Sequence, residues 1–148
     1  MTTAQESLEL TRVGPGTMMG EFMRQYWIPA AMTSELAFRD GNGKVGIMDH
    51  RCPHRCASLF FGRTEGDGLR CVYHGWKFAA DGRCVEQPNL TPEQTFAEKV
   101  RAKAYPVQER NGLVWVYMGK AAEPPGLPDF EANQMPEGET TVRFIQRE

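Results

Sequence analysis

The sequence predicts an all-β domain, a small sandwich or barrel of short strands, entered through a short N-terminal helix. Three observations carry that class. Turn signals recur between short strand-like segments, at Gly41-Asn42-Gly43, Asp81-Gly82 and Asn111-Gly112, and each reads as a hairpin. Leu113-Val-Trp-Val-Tyr-Met118 is dense in β-branched and aromatic residues, which suit a pleated, half-buried surface. The chain has 148 residues, 41% hydrophobic and 24% charged, an ordinary globular composition with enough length for one real core.

In chain order, Thr17 to Tyr26 reads as the helix. Thr17 is an N-cap, Met18, Met19, Phe22, Met23 and Tyr26 recur at helical spacing, and Pro29 lies beyond. The methionine-rich face reads as core packing. Three predicted hairpins follow. Ala37–Arg39 pairs with Val45–Met48, Trp76–Ala79 with Arg83–Val85, and Lys103–Gln108 with Leu113–Met118. Pro106 lacks an N–H for a sheet ladder, so its strand is expected at an edge. Glu123-Pro-Pro-Gly-Leu-Pro-Asp129 excludes regular helix or central strand and reads as a connection. Thr140–Gln146 resumes a strand-like pattern. The expected division is an N-terminal extension with the helix (1–36), a β-domain (37–120), and a linker with the start of a further unit (121–148).

Charge and hydropathy exclude some functions. Nineteen acids against seventeen bases give a net charge of −2, which offers no basic face to nucleic acid. No apolar run approaches the ~18 residues of a membrane span. Met1-Thr-Thr-Ala-Gln-Glu-Ser7 has no basic stretch leading into an apolar one, as a secretory signal would. A cytoplasmic location is therefore expected, where structural disulfides are rare. Cys52, Cys56, Cys71 and Cys84 are then read first as ligands or free thiols.

Cys52-Pro53-His54 and Cys71-Val72-Tyr73-His74 carry the chemistry: C-x-H, sixteen intervening residues, then C-x-x-H. Each loop offers one thiolate and one imidazole. Such a set suits a tetrahedral zinc ion or an iron–sulfur cluster, and spacing alone does not choose between them. Neighbours favour the cluster. Gly75 lets backbone approach a bulky cofactor, Pro53 stiffens the first loop, and Trp76, Phe78, Phe60 and Phe61 supply an apolar wall against water. The plainer readings are a turn glycine and core aromatics. Cys56 and Cys84 read as small buried thiols, and His50 as a surface residue at a strand end.

At these residues, Cys52-Pro-His-Arg-Cys-Ala-Ser-Leu59 and Cys71-Val-Tyr-His-Gly-Trp-Lys-Phe78 resemble the two loops of a Rieske [2Fe–2S] domain. The match is nearer to the Rieske non-haem iron oxygenases, which hydroxylate aromatic rings, than to the respiratory Rieske proteins. Thr11-Arg-Val-Gly-Pro-Gly-Thr17, Arg24-Gln-Tyr-Trp-Ile-Pro29 and Ser58-Leu-Phe-Phe-Gly-Arg63 resemble the phthalate-dioxygenase-like branch. The resemblance implies a Rieske-type fold over 37–120 with a cluster-binding subdomain. It implies that Cys52 and Cys71 hold one iron, and His54 and His74 the other. The implied role is electron transfer. A flavin iron–sulfur reductase or a ferredoxin donates the electron, and the mononuclear iron of an oxygenase catalytic domain accepts it. Family oxygenases are trimers.

Two departures qualify the resemblance. The family's mononuclear iron needs two histidines and a carboxylate. With His54 and His74 assigned, only His50 remains of three histidines, so no complete catalytic site is expected in these residues. Family members also carry additional strand between the positions of Ser34 and Asp40. Two other readings stand beside the oxygenase domain: a stand-alone Rieske ferredoxin, and a zinc-stabilised β-domain that binds partners without redox chemistry.

Overall fold

The computed structural model describes residues 17, 21, 25–29, 36–110 and 112–136. The helix expected over 17–26 lies largely outside them, and the strand expected over 140–146 lies wholly outside. The chain forms two compact units, one of Met1–Ala30 with Gln108–Glu148, the other of Ala31–Val107.

The central unit is all-β, as expected. A three-stranded antiparallel sheet has the order β2-β3-β8, from Leu36–Arg39, Val45–Met48 and Ala104–Tyr105. A four-stranded sheet runs β4-β5-β6-β7, from Arg63–Glu65, Gly68–Arg70, Lys77–Ala79 and Cys84–Glu86. In the first hairpin Leu36 faces Met48 and Arg39 faces Val45. Its turn is set by Asp40, whose carboxylate accepts hydrogen bonds from the Asn42 and Lys44 N–H groups, both at 2.9 Å. This is the local side-chain turn that aspartate favours. Gly82, between β6 and β7, has φ +84°, and a Cβ there would collide with the Ala102 carbonyl. Only glycine fits that position.

The hairpin of β4 and β5, joined by Gly66-Asp67, was not anticipated from the sequence. Its strands are three residues each, too short for an alternating pattern to register. The expected strand 103–108 is divided at Pro106. Residues before it pair with β3, and residues after it form β9 (Val107–Arg110), which pairs with β10 (Leu113–Tyr117). Both flanking strands are at sheet edges, where a missing N–H is tolerated.

One core joins the two central sheets: Met48, Leu59, Leu69, Trp76, Phe78, Cys84 and Ala102, with Cys52 and Cys71 among them. The two candidate cysteines are thus part of the core of the unit. The other unit holds a sheet of order β1-β10-β9, with β1 at Trp27–Pro29, and a single helical turn at Glu131–Gln134. Trp115 and Tyr117 form a buried cluster there, with Leu113 and Leu127 against them, and Val116 between them is also buried. Among the described residues, no helix is long and apolar enough to cross a membrane.

Candidate metal centre

The two candidate loops are the same turn made twice. In the first, between β3 and β4, the Cys56 N–H donates to the Cys52 carbonyl at 2.8 Å, and the Cys52 N–H donates to the Ala57 carbonyl at 2.9 Å. In the second, between β5 and β6, the Gly75 N–H donates to the Cys71 carbonyl at 3.1 Å, and the Cys71 N–H donates to the Trp76 carbonyl at 2.9 Å. The fifth residue of each turn is left-handed, Cys56 at φ +56° and Gly75 at φ +75°. Each turn therefore begins at a cysteine held from both sides by backbone hydrogen bonds. The histidine follows two residues later in the first turn and three later in the second.

This arrangement brings all four sequence-predicted donors together as two pairs. Cys52 and Cys71 are 2% and 3% exposed, with their thiols in hydrogen-bonding reach of one another. His54 and His74 lie farther out, half-buried, with ring centroids 4.7 Å apart. Among the described residues, no three histidine, cysteine or acidic side chains converge as a single ion would require.

Burial pushes the Cys52 thiol up to about 11, and the neighbouring Cys71 adds to the rise. Burial also holds His54 below the usual imidazole range, with His74 and Arg55 lowering it further. Cys52 and His54 thus favour their neutral forms, and a metal bound here displaces the Cys52 thiol proton. His74 Nδ1 is buried with no hydrogen-bond partner. A buried imidazole nitrogen without a partner is a donor that a metal would satisfy.

Aromatic packing sets the ring planes. Trp76 stacks on His54 with centroids 4.1 Å apart and planes 3° from parallel, and Tyr73 lies 3.9 Å from the His74 centroid. Trp76 is itself held by a 2.7 Å hydrogen bond from Nε1 to Asn89 Oδ1 and by the edge of Phe96. Pro88 closes the back of the second turn, since a Cβ at Gly75 would stand 2.8 Å from Pro88 Cγ. The segment 88–96 therefore supports the second loop, a role no motif in the sequence announces. Asn89→Leu is expected to leave the buried Trp76 N–H unpaired and to cost about 1–3 kcal/mol, read as a lower urea midpoint.

Two sequence expectations are corrected. Cys56 is exposed, not buried, because its left-handed backbone carries the side chain out of the turn. Phe60 and Phe61 are 70% and 69% exposed and do not wall the site, whereas Trp76 and Phe78 are buried. Cys84 is buried as expected, its thiol donating to the Glu86 carbonyl. His50 lies at the surface, its Nδ1 3.7 Å from Asp49. Cys56 holds the place that glycine takes in the second turn. Cys56→Gly is therefore expected to stabilise the chain by about 0.5–1 kcal/mol, from relief of left-handed strain less the entropy of glycine. Denaturant unfolding checks it.

A small β-domain that presents twin cysteine–histidine turns from one core defines a metal-binding protein of the iron–sulfur kind. The chain belongs to the Rieske [2Fe-2S] domain family, which it matches over residues 27–106, and that domain binds a [2Fe–2S] cluster. It is 48% identical to the 3-chlorobenzoate-3,4-dioxygenase oxygenase subunit of Comamonas testosteroni, over 99% of this chain and 38% of that one. It is 40% identical to the phthalate 4,5-dioxygenase oxygenase subunit of Pseudomonas putida, over 88% and 33%. Among solved structures, dicamba monooxygenase bound to dicamba matches with a TM-score of 0.62 and 29% identity, over 76% of this chain and 41% of that one. The chain thus spans about a third of the length of these curated relatives.

Proposed function

We propose that this chain is the electron-transfer domain of an aromatic ring-hydroxylating oxygenase subunit of the phthalate type. Cys52 and Cys71 would hold the inner iron, and His54 and His74 the outer one. The observation that carries this reading is the pair of buried cysteines, together with a buried His74 Nδ1 that has no hydrogen-bond partner. Two separate pairs of donors would suit two irons, one held by each pair, better than one zinc ion. The bound cluster supplies a one-electron couple.

The chain's own residues position and shield. The two backbone-held turns fix the cysteines, and the Trp76 ring covers one face of His54. The half-buried imidazoles form the part of the site that a partner can approach. In this reading the donor is a flavin iron–sulfur reductase or a ferredoxin. The acceptor is a mononuclear iron in an oxygenase catalytic domain.

Anaerobic expression with iron and sulfide, followed by metal and acid-labile sulfide analysis, tests this reading. About two irons and two sulfides per chain, with a Rieske-type EPR signal after dithionite reduction, are expected. Zinc without sulfide would overturn it.

A further inference from the structure

The second ligand loop leaves the sheet between two cations. Arg70 ends β5 and Lys77 begins β6, and the two face each other in register. Like charges directly opposite repel. A single carboxylate removes that conflict. Glu86 Oε2 accepts from Arg70 Nη2 at 2.5 Å, and its other oxygen pairs with Lys77 Nζ. A bulge in β7 places Glu86 opposite Lys77 while Cys84, two residues back, faces Phe78. Asp67 takes the Lys77 ammonium from the other side at 2.9 Å. The remaining nitrogens of Arg70 are also committed. Nε donates to Glu65 Oε2 at 2.5 Å, and Nη1 donates to the Gly75 carbonyl at 2.6 Å.

That last bond is the informative one. Gly75 follows His74 directly, so the guanidinium beside Cys71 also grips the far end of the turn. The side chains of Arg70 and Lys77 are only 17% and 10% exposed. Partly desolvated, charge-assisted bonds of this kind are stronger than surface ion pairs. Strand pairing already holds the sheet through these residues, but it makes no bond to the Gly75 carbonyl.

We propose that Arg70, locked by Glu65 and Glu86, is a positioning residue for the metal centre, a clasp that holds the Cys71–Gly75 turn in its ligating shape. The proposal rests on the assignment of Cys71 and His74 as ligands. It requires a planar fork. Lysine keeps the charge but cannot reach Glu65, Glu86 and the Gly75 carbonyl together.

The test uses the 148-residue chain loaded with iron and sulfide. R70K, R70M and E86Q are compared with wild type for the rate of iron loss to a chelator, the EPR line shape, and the unfolding midpoint of the metal-free chain. R83M is the control. It removes the Asp81–Arg83 surface pair, away from the turn. All three clasp variants are expected to lose iron about tenfold faster or more, the scale for residues that orient metal ligands. The EPR features should broaden while the metal-free midpoint falls little, and R83M should match wild type. Wild-type iron loss and line shape in R70K would show that charge alone matters, which overturns the clasp. Faster loss only in proportion to lower metal-free stability would also overturn it, as a merely structural role. Should R70M fail to fold, R70K and E86Q decide the matter. Wild type without iron and sulfide would instead overturn the ligand assignment, and the clasp with it.

Discussion

Cys52→Ser and Cys71→Ser are each expected to yield a folded, colourless chain that retains little iron and no labile sulfide. Cys56→Ser is expected to keep the full complement. The three cysteines differ in environment, not in sequence character. Cys52 and Cys71 are buried together and held at the start of matching turns, whereas Cys56 is exposed. Serine is nearly the size of cysteine but offers a harder and far less acidic donor, so it supports iron–sulfur bonding poorly. Visible absorption with iron and sulfide analysis reads the outcome. Loss of the cluster in the Cys56 variant would mean that the ligand set is misassigned.

Phe78→Ala is expected to destabilise the chain by about 3–5 kcal/mol. A domain of this size is ordinarily stable by only about 5–15 kcal/mol, so the loss takes a large share of the total. Phe78 is wholly buried and packs in the same core as Cys52, Cys71 and Trp76. The cavity would therefore open beneath both ligand loops, and the variant should also hold iron weakly. Phe60→Ala is the contrast. That ring is 70% exposed, and its removal should change stability by no more than about 0.5 kcal/mol. Urea unfolding of both metal-free variants checks the difference. Equal midpoints would show that the ligand loops do not depend on this core.

Cys52, His54, Cys71 and His74 were legible as candidate donors because side-chain chemistry is written directly in the residues. The β2–β3, β6–β7 and β9–β10 hairpins were legible for a related reason. Gly43, Gly82 and Gly112 adopt positive φ, a local requirement that glycine meets within the turn itself. The β4–β5 hairpin was not legible, since three-residue strands carry no readable period. Nor was the division at Pro106, which depends on which sheet each half of the segment finds.

Among the residues around the site, Arg70 directly precedes the C-x-x-H loop and Lys77 follows it by three residues, but their shared partner is not visible in the sequence. Glu86 left none, because its place opposite Lys77 depends on a bulge fifteen residues after Cys71. Asn89 and Pro88 left none either, since their contacts with Trp76 and Gly75 arise from a loop folding back. The same holds for the exposure of Cys56 and of Phe60. Composition marks these side chains as apolar, but burial is a property of the packed chain. Local chemistry and turn requirements act within a few residues, so the candidate donor set, the all-β class and most turns follow from the order of amino acids alone. The orientation of His54 against Trp76, the paired depth of the two thiols and the Glu86 bridge are long-range contacts. They exist only once the strands have assembled and water has been excluded from the core.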